Sequence, residues 1–143
     1  MSKVFVSWYD GQSHNLANQF LGLLKKHGFD VEHSPFSPHS GIYDERWENW
    51  YEVGLPKSIK RAEIFVAVIT PSCDGSTWMM VEYEEAYNSF VKTAKPVLFY
   101  ISFDLTEKQV KCHEHYFSSS ICLSSVPEEA VRTLLISSSQ MPT

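Results

Sequence analysis

Ile64-Phe65-Val66-Ala67-Val68-Ile69-Thr70-Pro71 is a run of six apolar residues closed by a turn signal, and after Ser72-Cys73-Asp74-Gly75 the chain resumes with Ser76-Thr77-Trp78-Met79-Met80-Val81-Glu82-Tyr83-Glu84-Glu85-Ala86. An unbroken apolar run that short reads as a strand buried on both faces, the signature of a central strand in a parallel sheet. Ser76 is then placed to N-cap a helix. Met79, Tyr83, Ala86, Tyr87 and Phe90 recur at helical spacing, forming the stripe expected to pack on the sheet. At about 100° per residue, Glu82 lies about 40° from Ala86 and about 60° from Met79, whereas Glu84 lies well over 100° from both. Glu82 is therefore expected to border the core and Glu84 to face water.

A carboxylate at the edge of a core costs free energy unless something compensates for it. Taken alone, Glu82 reads first as a helix-border residue paired with a nearby cation, since structural ion pairs are commoner than active sites, and only second as a functional group. Its place in the fold distinguishes the two. Val4 to Ser7 reads as a first strand, followed by a helix capped by Ser13 in which Leu16, Ala17, Phe20, Leu23 and Leu24 keep the helical period until Gly28. A short second strand is expected at about Phe29 to Glu32. From His33 to about Trp50 periodicity is lost, with Pro35, Pro38 and Gly41 among several aromatic residues, which reads as a long loop entering a helix. Gly54 and Pro56 make that helix ambiguous; Pro56 fits best as the first residue of a second helical piece ending near Arg61. A fourth strand is expected at Val97 to Ile101, a fifth around Ile121 to Leu123, and a last helix at Glu128 to Ile136. The Ser-rich end, residues 137–143, reads as a frayed tail after a single domain of residues 1–136.

Strands alternating with helices imply an α/β fold, a parallel sheet with helices on both faces. In the flavodoxin-like order 2-1-3-4-5 the switch point lies between the first and third strands at their carboxyl ends. Trp8-Tyr9-Asp10-Gly11-Gln12 and the segment from Thr70 to Trp78 meet there, with Glu82 one turn beyond Trp78.

Composition excludes several classes. The chain has 143 residues, enough for one compact domain with a core, and its 43% hydrophobic and 14% aromatic content is that of a globular protein. A net charge of −5 and no basic run longer than Lys25-Lys26 disfavour a nucleic-acid surface. Cys73, Cys112 and Cys122 are an odd set in a well-provisioned core, pointing to free thiols and a reducing, cytoplasmic setting. No apolar run approaches the roughly 20 residues of a membrane span. Cys112-His113-Glu114-His115 holds metal-ligand types, but adjacent residues converge poorly on one ion, so no metal is expected. There is no Gly-rich phosphate loop, which disfavours dehydrogenase and P-loop chemistry.

Three segments carry a family resemblance. Val4-Phe5-Val6-Ser7-Trp8 is similar to the first box of Toll/interleukin-1 receptor (TIR) domains, Ala62 to Pro71 resembles their third strand, and Ser76-x-Trp78-x-x-x-Glu82-Tyr83-x-x-Ala86 resembles the signature that follows. The likeness spans about residues 3 to 136. It departs at Met79, where the family often has Cys, and in the loop from His33 to Arg46. The resemblance implies a TIR domain, either an adaptor that only assembles with other TIR copies or an enzyme that cleaves NAD between nicotinamide and ribose. In the enzymatic branch the Glu four residues after the Trp is catalytic, and here that is Glu82. The resemblance to stand-alone TIR proteins of antiphage defence, such as those of Thoeris systems, implies an ADP-ribose-derived signalling molecule, cyclic in the first instance, passed to a separate effector; water, an atom of the same molecule and an added nucleophile are the open acceptors. A nucleoside deoxyribosyltransferase-like enzyme, which also uses a Glu on a comparable scaffold, is the other alternative.

Under the enzymatic reading NAD is substrate rather than cofactor, and the residues near the switch point become candidates for binding it. Trp8 and Tyr9 either stack on its rings or fill the core and loop; Asp10 either bonds ribose or caps the turn; Ser7 either contacts substrate or satisfies local backbone. Arg46 is either the loop cation for the pyrophosphate or a solvated side chain, and Trp78 precedes Glu82 by one turn. The resemblance also implies self-association through the loop from about His33 to Arg46, with Phe36, Tyr43 and Trp47 as anchors.

Overall fold

A computed structural model describes residues 2–8, 14–34, 48–71 and 77–139, with Thr77 and Trp78 described by their backbone only. Five parallel strands form one sheet in the order β2-β1-β3-β4-β5, as the alternation of elements predicts: β1 (Lys3–Ser7), β2 (Asp30–Glu32), β3 (Ile64–Ile69), β4 (Val97–Ser102) and β5 (Ile121–Cys122). β1 pairs with β2 on one side and β3 on the other, with Ser7 opposite Ala67.

Side chains alternate across a strand, and the sheet separates two cores by that parity. Val4 and Val6 of β1, Val66 and Val68 of β3, and Phe99 and Ile101 of β4 meet α1 (Asn15–Lys26) and the last helix. Phe5, Phe65, Ala67, Ile69, Leu98 and Tyr100 face the opposite way, toward α2 (Leu55–Arg61) and α3 (Thr77–Thr93). Every residue of β3 is buried, which is why its sequence shows no polar alternation. On α3 the stripe of Met79, Tyr83 and Ala86 is buried as its spacing predicts, but Tyr87 is 38% exposed and covers Tyr83 from outside, ring centroids 6.3 Å apart.

Several boundaries differ from the sequence reading. α1 is capped by His14, whose Nδ1 accepts from the Ala17 N–H at 3.4 Å, while Ser13 lies outside the described residues. His14 Nε2 also bonds Asp104 at 2.8 Å, tying the start of α1 to the segment after β4. Gly28 ends α1 with φ 86, a conformation that only glycine adopts without penalty. The ambiguous stretch before Pro56 is a π-helical turn, Trp50–Gly54, leading directly into α2. A helix the sequence reading did not assign, α4 (Glu107–Tyr116), connects β4 to β5, and it starts at a capping box in which Thr106 and Gln109 exchange side-chain-to-backbone bonds. Removing that cap in Thr106→Ala is expected to cost about 1 kcal/mol in urea unfolding; a variant as stable as wild type would show that α4 does not depend on its capping box.

The last helix, α5 (Pro127–Ser139), continues through Ser137, Ser138 and Ser139, and Ser138 bonds the Ser2 hydroxyl. Only residues 140–143 of the stretch read as a tail fall outside the described residues. Cys112 and Cys122 are exposed free thiols. Among the described residues no helix is long and apolar enough to cross a membrane, and no group of three His, Cys, Asp or Glu side chains is placed to hold a metal ion.

Candidate active site

Strand parity determines what faces Glu82. Ser7 is the last residue of β1 and shares the parity of Phe5, so its side chain points to the α3 side of the sheet. There its hydroxyl donates to Glu82 Oε1 at 2.8 Å. From the neighbouring strand, Ser34 follows β2 by two residues and donates to Oε2 at 2.5 Å. Trp50 completes the chain of bonds by donating its indole N–H to Ser34 Oγ at 3.0 Å. The carboxylate is thus held between hydroxyls from the ends of two adjacent strands, at the carboxyl edge of β1 where the strand order reverses.

Glu82 is deeper than its helical angle implies. Its relative exposure is 1%, so it does not border the core but lies inside it, because β1 and the segment after β2 close over the angular gap between Ala86 and Met79. Burial raises its pKa from 4.5 to about 7, against the Ser34 and Ser7 hydroxyls, which favour the ionised form and lower it. Among the described residues no Lys, Arg or His forms an ion pair with it. The helix-border ion pair that would have explained this residue blandly is therefore not what the described residues provide. A carboxyl that titrates near neutrality inside a polar pair of hydroxyls is suited to stabilising a positive charge brought to it, since that charge would drive it to its ionised form.

The other residues named from the sequence are distributed unevenly. Ser7 is brought to Glu82. Trp8 is not: it packs against the core on the α1 and α5 side, the side to which the next step of strand alternation directs it, and so it is turned away from Glu82. Tyr9, Asp10 and Arg46 lie outside the described residues, as do Phe36, Tyr43 and Trp47 and most of the loop that follows His33. Trp78 lies in the first turn of α3 by its backbone. Glu84 is exposed, as expected. Sequence reasoning missed Ser34 and Trp50. Ser34 sits in a polar stretch with no period to mark it, and Trp50 was hidden by the Gly54 and Pro56 signals of a broken helix. The one available cue was that the loop from His33 to Trp50 leaves β2 on the side of the switch point.

No family model matches the chain, and no curated protein matches it. Among solved structures, the chain is similar to the TIR domains in the structure of the activated Roq1 resistosome directly recognizing the pathogen effector XopQ. The likeness covers 79% of this chain and 64% of that chain, just under two thirds of the latter's length, at 17% sequence identity and a TM-score of 0.56. The shared property is the fold: a five-stranded parallel sheet in the order 2-1-3-4-5 flanked by helices.

Proposed function

We propose that the chain is a TIR-type NAD nucleosidase in which Glu82 is the catalytic carboxylate. The observation that carries this reading is the side chain itself: a carboxylate 1% exposed, gripped by two serine hydroxyls at the switch point of a parallel sheet. A protein whose fold served only contacts with other copies would gain nothing from that arrangement, which costs stability when the group ionises.

The chemistry asks little more of the protein. The bond from nicotinamide to ribose breaks with its electron pair going to the ring nitrogen, so the pyridinium becomes neutral nicotinamide and needs no proton. General-acid catalysis, for which most glycosidases keep a second carboxyl, is therefore unnecessary. Positive charge develops at C1′, and ionised Glu82 stabilises it at close range in a water-poor setting. Attack by water, with loss of its proton, then gives ADP-ribose; attack by a nucleophilic atom of the same molecule gives a cyclic isomer. The bond from Ser7 to Glu82 is fully buried, whereas the one from Ser34 is only partly so, which makes the Ser34 side the direction from which ribose hydroxyls would approach. The product would serve a separate effector, as the resemblance to antiphage TIR proteins implies.

Because ionised Glu82 is the active form, kcat/KM for nicotinamide release is expected to rise with pH and level off above about 7, the pKa of the free protein. A bound cationic pyridinium favours the ionised form, so the corresponding limb of kcat should lie at lower pH. Rates measured from pH 5 to 9 test this; a kcat/KM that falls as pH rises toward 8 would contradict the assignment.

The similar structure is a resistosome, and TIR domains commonly work as assemblies, so activity is expected to depend on self-association. The rate per molecule should rise with protein concentration. A flat specific activity from dilute to concentrated protein, with a monomer on sizing, would overturn that expectation while leaving Glu82 in place.

A further inference from the structure

The proposed chemistry uses Glu82, Ser7 and Ser34 and leaves the groups behind Ser34 without a role. An indole N–H can only donate, while a serine hydroxyl carries one proton and two lone pairs. With the Trp50 N–H on one of the two lone pairs of Ser34 Oγ at 3.0 Å, a single lone pair is left beside the proton that faces Glu82 Oε2. The indole is held there by an unusual backbone. Trp50–Gly54 is a π-helical turn in which the Leu55 N–H donates to the Trp50 carbonyl, five residues back. Gly54 is the seat of the ring: a Cβ at that position would collide with Trp50 Cε3 and fall 3.0 Å from Cζ3 and 3.2 Å from Cδ2. An ordinary side chain cannot occupy position 54 while the ring stays where it is.

We propose that Trp50, seated on Gly54 by the π-helical turn, is a positioning residue for Glu82, one that takes a lone pair of the Ser34 hydroxyl and so biases its proton toward the carboxylate. Its effect on rate rests on the reading of Glu82 as the catalytic group; its effect on the carboxyl does not. The groups that face Glu82 among the described residues are Ser7 from β1 and Ser34 beyond β2, both hydroxyls, so the donor supplied through Trp50 has no charged competitor there. Losing the Trp50 N–H removes that bias, so Ser34 turns more readily to accept a proton from neutral Glu82, which shifts the balance toward the protonated form.

The test follows Glu82 by carboxyl-carbon NMR titration of the purified chain, alongside the pH profile of nicotinamide release. Trp50→Phe keeps a ring and removes the N–H. It is expected to raise the Glu82 midpoint by about one pH unit, which lowers kcat/KM about tenfold at pH 6 and leaves it near wild type at pH 9. Gly54→Ala, which evicts the ring, is expected to act in the same direction, and Val53→Ala, an exposed residue of the same turn, is expected to leave the titration unchanged. In a Ser34→Ala background Trp50→Phe should add nothing, because the relay is already cut. A wild-type titration in Trp50→Phe, or an equal shift with and without Ser34, would overturn the proposal; should Trp50→Phe fail to fold, Gly54→Ala with and without Ser34→Ala decides it in the same way. A wild-type chain that releases no nicotinamide overturns the NAD reading, while the titrations still decide the role of Trp50.

Discussion

Glu82→Gln is expected to lower nicotinamide release by about a thousandfold, the order seen when a single group stabilising transition-state charge is removed from a water-poor site. The same substitution is expected to make the folded chain more stable at pH 8. Glutamine keeps the shape of glutamate, its carbonyl can accept from Ser7, and it needs no charge in a site that is 1% exposed. Its loss of function would thus coincide with a gain of stability, a combination that a damaged core residue cannot give. The helical angle alone suggests a border carboxylate whose removal hardly affects stability; burial changes that expectation. Glu84→Gln, on the opposite face of the helix and exposed, should alter neither rate nor stability beyond about 0.5 kcal/mol. Nicotinamide chromatography and urea unfolding at pH 8 check both halves, and a Gln variant that unfolds more readily than wild type would show that the ionised carboxylate is a net structural asset.

The wild-type chain should lose stability as pH rises through the weakly acid range. Below pH 4.5 Glu82 is protonated in both folded and unfolded chains, and its burial is tolerated in full. Between 4.5 and about 7 the unfolded chain releases this proton while the folded chain keeps it, so stability falls with increasing pH. Above about 7 both forms are ionised and the loss is complete. At roughly 1.4 kcal/mol per pKa unit the total is about 3 kcal/mol, large against the stability of a small domain. Other groups titrate in the same window, so the quantity to measure is the difference between wild type and Glu82→Gln. That difference should grow from near zero at pH 4 to about 3 kcal/mol in favour of Gln at pH 8. A difference that stays constant with pH would mean that Glu82 does not titrate in this range.

Much of this arrangement is legible in the chain because two periodicities are clean. The six apolar residues of β3 have to be buried on both faces, and the helix that follows has to place Met79, Tyr83 and Ala86 on the sheet. Parity along β1 then puts Ser7 on the side of that helix and sends Trp8 to the other, an inference available from Val4 to Trp8 but obscured by the proximity of Trp8 and Tyr9 to the switch point. What sequence does not reveal is tertiary closure. Nothing local marks Ser34 as a partner of Glu82, because a three-residue strand followed by His33 and Ser34 has no period to read. The π-helical turn hides in the same way: Gly54 and Pro56 signal a break, whereas the structure uses the missing Cβ of Gly54 to seat Trp50 and Pro56 to begin α2. α4 is hard to read from sequence for a different reason. None of its residues is fully buried, so no hydrophobic stripe announces it, although Thr106 and Gln109 carry the capping-box pattern. The cap of α1 fell on His14 rather than a serine because an imidazole nitrogen can accept as a hydroxyl does.

The most direct test of Glu82 as the catalytic carboxylate of an NAD nucleosidase is to incubate the purified chain, at several concentrations up to the highest attainable and at pH 8, with NAD and in parallel with a deoxynucleoside, and to measure free nicotinamide and free base. Nicotinamide released by wild type and by Glu84→Gln, but not by Glu82→Gln, and no base released from the deoxynucleoside, is the predicted result. Nicotinamide absent at every concentration, or released equally by Glu82→Gln, would contradict it.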